Sequence, residues 1–356
     1  MGLCFKISVF IAIIAAMIGI GPVIYKNMDN RKYNRRSTAE EAADSNNFKD
    51  KTVIVTGASS GIGIPTAKVL YENGANVIMA CRNEGKANKV REGILQETAT
   101  NTKLDESNLK VMALDLASLK SVDNFVKQFE KSYKRLNILI NNAGIMGLDD
   151  YTLSADGIEA QFATNNLGHF YLTERLTPLL KKSASATSIS RVINTASVAY
   201  MGAPGDIKSW LINEDKLADK NEYAPMQQYG LTKACNIIYG KEYNKRNSKD
   251  NVYSLSLHPG AIKSGLQAHN TYLNIWNKYW PAEFGLKSAS QGAATQIRAA
   301  AMPEMDFKSI AGRYMEDCNV AELWRSDIID DEKSNELGPL LYTLSEKILK
   351  DKGFSL

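Results

Sequence analysis

Between residues 52 and 257, short apolar runs of strand length alternate with longer segments of helical period. The runs are Thr52–Thr56, Asn76–Cys81, Leu109–Leu114, Asn137–Asn141, Arg191–Thr195 and Val252–Leu257. Most are nearly continuously apolar, as strands buried on both faces must be. Among the segments between them, Ile64–Asn73, Leu119–Tyr133 and Tyr229–Arg246 carry helix-like periodicity. Strand-helix-strand units cross over right-handed, so the alternation predicts an α/β fold, a doubly wound parallel sheet of about seven strands with helices on both faces. No solenoid-length repeat is present.

At 356 residues, with 44% hydrophobic and 23% charged side chains, the chain is long enough for one large domain and falls in no disordered or fibrous class. The formal net charge of +4 is small and sits partly in one N-terminal run, which argues against a nucleic-acid partner. Three histidines and the absence of Cys-x-x-Cys leave no case for a metal site. Cys4, Cys81, Cys235 and Cys318 lie far apart and read as reduced thiols. No Asn has Ser or Thr two places on, which favours a domain that does not face the secretory lumen.

Residues Ile7–Tyr25 are uncharged and largely apolar over about the length a bilayer requires. Pro22 lies near the end of that stretch, where a helix stop is tolerable. Lys26, Arg31, Lys32, Arg35 and Arg36 come after it, against Lys6 before it. The positive-inside rule places the downstream domain in the cytoplasm. A cleaved signal peptide would carry its basic flank before the apolar core, so a retained anchor is the better reading. Lys6 stands where a myristoylation signal needs Ser or Thr, and Cys4 is a candidate for palmitoylation. The expected organisation is an anchor over 1–25, a basic collar and polar linker over 26–49, and a catalytic domain over 50–356. The endoplasmic reticulum membrane, with the domain facing the cytosol, is the expected location.

Directly after the first strand comes Thr56-Gly57-Ala58-Ser59-Ser60-Gly61-Ile62-Gly63, opening into a helix. Glycines let the backbone turn sharply beside a pyrophosphate, and amides at a helix N-terminus face its negative charge. The spacing G-x-x-x-G-x-G resembles the short-chain dehydrogenase/reductase family, whose core is a Rossmann-type sheet. Asn141-Asn142-Ala143-Gly144, Tyr229-Gly-Leu-Thr-Lys233 and His258-Pro259-Gly260 match further family motifs in the right order. The resemblance covers roughly Lys51 to the end of the sequence. Ala80-Cys81-Arg82-Asn83, Asn165 to Thr173, Asp317-Cys318 and Leu344-Ser345-Glu346-Lys347 are most similar to the retinol dehydrogenase group.

That resemblance implies a nicotinamide site built from Gly57, Ser59, Ser60, Gly61, Ile62, Gly63, Asn142, Ala143 and Gly144. Asp115 would lie near the adenine, and Pro259, Gly260, Ile262 and Ser264 would border the nicotinamide. The second strand ends in Arg82 with no acid to hold a ribose 2′-hydroxyl. A guanidinium there suits a 2′-phosphate, so NADP(H) is the expected cofactor. Tyr229 and Lys233, four apart on a helix, share a face. A nearby ammonium is expected to lower the phenol from its usual value of about 10, letting Tyr229 exchange a proton with an alcohol or carbonyl oxygen. By resemblance Lys233 also holds the nicotinamide ribose, Ser197 binds the substrate oxygen, and Asn165 supports a proton relay toward Lys233. His258 reads as a packing residue.

The chain departs from the family pattern at Ile64-Pro65, which puts one phosphate contact in doubt, and at Ala196, where many relatives carry Ser. Ser183–Ser190 and Met201–Asn221 look longer than in typical relatives. Gly265–Gly285 is rich in aromatic and apolar side chains and lies where such a fold closes over substrate. With the anchor, it points to a hydrophobic small molecule, a retinoid first, a sterol or fatty aldehyde as alternatives. A catalytically silent nucleotide-binding scaffold is the rival of another class; the intact Asn165, Ser197, Tyr229, Lys233 set argues against it. The resemblance also admits a homo-oligomer.

Overall fold

The computed structural model describes residues 31–44, 48–101, 104–262, 266, 286–329 and 331–356. The expected anchor, the first residues of the collar, Ser264 and all of the 265–285 segment but Leu266 lie outside the described residues. Among the described residues no helix is long and apolar enough to cross a membrane.

Eight strands form one sheet in the order β3-β2-β1-β4-β5-β6-β7-β8. They are β1 Thr52–Thr56, β2 Asn76–Cys81, β3 Leu109–Ala113, β4 Ile138–Asn141, β5 Ser190–Thr195, β6 Val252–His258, β7 Tyr314–Glu316 and β8 Asn319–Ala321. All neighbours are parallel except β7 and β8, which form an antiparallel hairpin. The expected strands reappear within a residue at each end. The added pair, three residues each, is too short to show a period in sequence.

Alternate strand residues feed two cores. Ile54, Ile78, Leu139 and Val192 face one side of the sheet, where they meet α4 Leu119–Ser132, α5 Gly168–Ser183, α6 Pro225–Asn247 and α8 Asp331–Asp351. Val53, Val55, Val77, Met79, Ile140 and Ile193 face the other, against α2 Gly63–Glu72, α3 Glu84–Thr98 and α7 Ala289–Ala301. Helix α4 shows how the sequence specifies its place. Ser118 caps its first turn, and Leu119, Val122, Phe125, Val126 and Phe129 line one buried stripe. The strand order reverses between β1 and β4, which stay parallel, and a crevice at such a point, beyond the carboxyl ends of the strands, is where ligands bind in this architecture.

The polar stretch expected to be a linker is part of the fold over 33–44. Helix α1, Ala39–Ala43, starts in a capping box of Thr38 and Glu41 and buries Ala39, Ala42 and Ala43. The Ala39 amide donates to Ser290 Oγ, and Gln291 Nε2 donates to the Arg36 carbonyl, tying the segment to α7. Small alanines allow this close docking, and for that reason left no large-apolar signal.

Candidate active site

Helix α6 opens with Pro225 at its first turn and carries Tyr229 and Lys233 one turn apart, both buried. Gly230 lets the 198–203 turn rest on this helix, since a Cβ there would stand 2.7 Å from both the Ala199 carbonyl oxygen and the Ala203 nitrogen. That contact brings Ser197, which caps the turn, beside the Tyr229 phenol, on which it acts electrostatically. Lys233 Nζ lies 5.5 Å from the Tyr229 ring centre and donates to the Thr195 carbonyl at 2.9 Å.

Asn165 arrives on a π-helical turn, Ala163–Leu167, between residue 160 and α5. Its Nδ2 donates to the Ile145 carbonyl at 2.8 Å and to Thr232 Oγ1 at 3.1 Å, while Oδ1 accepts from the Ile145 amide. Gly144 sits between Asn165 and Lys233, for a Cβ there would be 3.3 Å from Asn165 Oδ1 and 3.6 Å from Lys233 Nζ. All four expected catalytic residues therefore converge on one spot. The π turn itself was not legible, because a single wide turn leaves no periodicity of its own.

The electrostatics differ from the sequence expectation. Burial raises the Tyr229 phenol above its ordinary value, with Ser197 pulling the other way. Burial also lowers Lys233 to about 8. The ammonium is directed at the Thr195 carbonyl rather than the phenol oxygen, so the expected depression of Tyr229 by Lys233 is not produced by the chain alone.

Beside this group lies the glycine turn. Gly57 holds φ 68° and Gly61 φ 54°, and a Cβ on Gly63 would stand 2.5 Å from the Gly57 carbonyl oxygen. Only glycine leaves that approach open. Helix α2 begins after Ile62 without any side-chain cap; the Gly63 amide donates to the Ser60 carbonyl at 3.1 Å, which leaves the Ile62 amide at the helix start for an anion. Ser60 is exposed and Ser59 half-buried at the same turn.

Thr56 braces the turn. Its Oγ1 accepts from the amides of Asn142 and Ala143, each at 2.9 Å, and meets His169 Nε2 at 2.9 Å. Because His169 Nδ1 faces the Asn165 carbonyl at 3.2 Å, Nδ1 carries the proton and Nε2 accepts from Thr56. Burial holds this histidine down to about 3, neutral throughout. The chain Thr56, His169, Asn165 thus links cradle to catalytic group. His169 falls inside the Asn165–Thr173 motif, yet nothing in its spacing announced this contact.

Asn142 Nδ2 donates to the Thr56 carbonyl at 2.7 Å, and a Cβ on Gly57 would meet Ala143 Cα at 2.9 Å. Both residues therefore shape the cradle. Arg82 is exposed at the end of β2. Asp115 Oδ1 accepts from the Ala117 amide at 3.0 Å, which closes its own turn after β3. Ile262 is buried, its tip against Gly292 and close to Ile62, so its side chain is taken up in packing. Pro259 and Gly260 form the turn after β6, Gly260 at φ 94°. Among the described residues no group of three or more His, Cys, Asp or Glu side chains is arranged to hold a metal ion.

The family model for short chain dehydrogenases matches residues 51–206. A chloroplastic short-chain dehydrogenase of Brassica napus, TIC 32 B, is 39% identical over 293 residues, 81% of this chain and 87% of that one. The chain belongs to the short-chain dehydrogenase family. Retinol dehydrogenase 12 of Mus musculus is 35% identical over 288 residues, covering 80% of this chain and 83% of its own. Among solved structures, the Pseudomonas aeruginosa RhlG/NADP active-site complex superposes with a TM-score of 0.58 at 22% identity, over 76% of this chain and 95% of that one, a likeness of fold. Membership makes this short-chain dehydrogenase an oxidoreductase with a Rossmann-like sheet and retinol dehydrogenase similarity.

Proposed function

We propose that this short-chain dehydrogenase interconverts an alcohol and an aldehyde or ketone on a hydrophobic substrate, retinol and retinal first, with NADP(H) as cofactor. The observation that carries the reading is the convergence of Asn165, Ser197, Tyr229 and Lys233 beside an uncapped helix N-terminus. The residues fit a dinucleotide: the glycine turn leaves the close backbone approach a pyrophosphate needs, and exposed Arg82, with no acid beside it, suits a 2′-phosphate. Bound NADPH would supply the hydride.

The chain supplies the rest. Tyr229, protonated because burial raises its phenol, gives its proton to the carbonyl oxygen as negative charge grows there, or takes it back in oxidation. Ser197 donates a second hydrogen bond to that oxygen. Lys233 would hold a ribose hydroxyl, and its ammonium together with a cationic nicotinamide would favour the phenolate in the oxidising direction. Asn165, fixed by Ile145 and Thr232, keeps the path behind Lys233 in place. Residues 7–25 would anchor the chain in the endoplasmic reticulum membrane with the domain in the cytosol, close to an apolar substrate pool. A hydroxysteroid dehydrogenase or lipid carbonyl reductase uses the same chemistry and differs in substrate alone.

The test is turnover by the full chain in detergent, followed by nicotinamide absorbance, with NADPH and then NADH. All-trans-retinal, a ketosteroid and a long-chain aldehyde serve as substrates. Oxidation of NADPH faster than NADH with retinal supports the reading. Turnover of the ketosteroid alone moves it to the steroid alternative, and NADPH binding without turnover of any of the three favours a nucleotide-binding scaffold.

A further inference from the structure

The two-residue turn of the β7–β8 hairpin pairs an acid, which enters the left-handed region readily, with a cysteine, which that backbone disfavours. Asp317 and Cys318 both occupy the left-handed region, at φ 49° and 66°. Such turns ordinarily use Asn-Gly, Asp-Gly or Gly-Gly, so the side chain that crowds the backbone here is that of Cys318 in the glycine position. What an acid adds is charge and reach. Asp317 Oδ1 lies 2.6 Å from Lys287 Nζ, whose side chain is 3% exposed. Nζ has no aligned hydrogen-bond acceptor among the described residues, so this ion pair is what answers its buried charge. The Cys318 amide donates to Thr295 Oγ1 at 3.2 Å, which ties the turn to α7.

Lys287 in turn grips the segment after β6. Its stem lies against Gly260, where a Cβ would stand 2.7 Å from Cδ and 2.8 Å from Cε. Its amide donates to the Ala261 carbonyl at 2.8 Å, and its backbone bridges Ile262 in parallel. His258, at the start of the same segment, is kept neutral by burial and by Lys287, down to about 3, and so does not compete for the carboxylate.

We propose that Asp317 and Lys287 form a latch that positions the His258–Ile262 turn at the edge of the dinucleotide site, and that the strained hairpin serves to aim the carboxylate. The consequence for NADPH rests on the cofactor reading above; the latch itself does not. Asp317→Asn separates the two contributions, since asparagine enters the left-handed region at least as readily as aspartate while losing the charge. Hydrogen exchange on the full chain without nucleotide reads the latch directly. In Asp317→Asn, peptides covering 258–262 and 286–288 exchange about tenfold faster, with β1 amides unchanged. Lys287→Met gives the same local loosening, and the double variant is no worse than either single one. Cys318→Gly, which relieves strain and keeps the pair, leaves exchange at wild-type rates.

The dissociation constant for NADPH, by titration, rises about tenfold in Asp317→Asn and Lys287→Met, and KM for NADPH rises with kcat preserved. Wild-type exchange in both single variants overturns the latch, as does an equal rise across β1. Local loosening in a protein whose wild type does not bind NADPH upholds the latch and fails the cofactor reading instead.

Discussion

Lys233 is the residue whose environment makes the sharpest claim. Burial lowers it to about 8, so below that pH it is an ammonium and above it a neutral amine. Ammonium is the form that favours a phenolate and donates to the Thr195 carbonyl. The value for kcat/KM with NADPH should therefore fall as pH rises through about 8, because that parameter reports groups of the free enzyme. A flat profile from neutral pH to well above that value would contradict the assignment. The site residues were legible because their chemistry demands fixed types at fixed spacing: two groups four apart on a helix, and glycines where backbone must approach backbone. The Lys233 hydrogen bond to Thr195, the Thr56–His169–Asn165 chain and the Asp317–Lys287 pair were not. Each joins residues far apart in sequence by geometry that no local pattern encodes.

Among the elements, α5, α6 and α8 meet around a buried acid. Glu174 Oε1 accepts from the Tyr342 hydroxyl at 2.6 Å and from the Tyr239 hydroxyl at 3.0 Å, with the Arg246 guanidinium 3.8 Å from the Tyr342 ring centre. Burial raises this carboxyl even so, opposed by the two phenols and Arg246 and helped by Glu346. A raised folded value means the fold prefers the neutral acid. Its stabilising contribution is complete below the unfolded value of about 4.3 and is lost as pH climbs through the folded one. Glu174→Gln keeps an acceptor for both phenols without a charge. Its melting temperature at pH 7.5 should exceed wild type by about 2–4 °C, a gap that closes on acidification. A lower melting temperature at pH 7.5 would show that the ionised acid is net stabilising. The three helices read from their period, α2, α4 and α6, and the central strands were placed to within about four residues, because period and continuous burial are strong signals over such lengths. Helices α3, α5, α7 and α8 were not read. Strands β7 and β8 were not, since three residues cannot display a period.

At the scale of the whole molecule, the sheet order and the two-sided core follow from the alternation of strands and helices. The N-terminal segment does not. Residues 26–49 were expected to be a basic collar and linker, yet Tyr33 and three alanines within it are buried, and Asn319 Nδ2 donates to the Tyr33 carbonyl at 2.8 Å. The segment therefore clasps α7 and the β7–β8 hairpin to the body. A chain beginning at residue 45 should melt at least about 3 °C below one beginning at residue 31, on the scale of about 2 kcal/mol lost from a domain of this size. Equal melting temperatures would return the segment to the status of a tether.

The central claim is proton transfer by Tyr229 within an otherwise complete dinucleotide site, and Tyr229→Phe tests it most directly. NADPH-dependent turnover of the best carbonyl substrate should fall by about 10²–10⁴-fold, the usual range for losing a general acid, while the NADPH dissociation constant stays within about twofold of wild type. Turnover within tenfold of wild type, with the nucleotide still bound, would contradict the account and place the proton donor elsewhere.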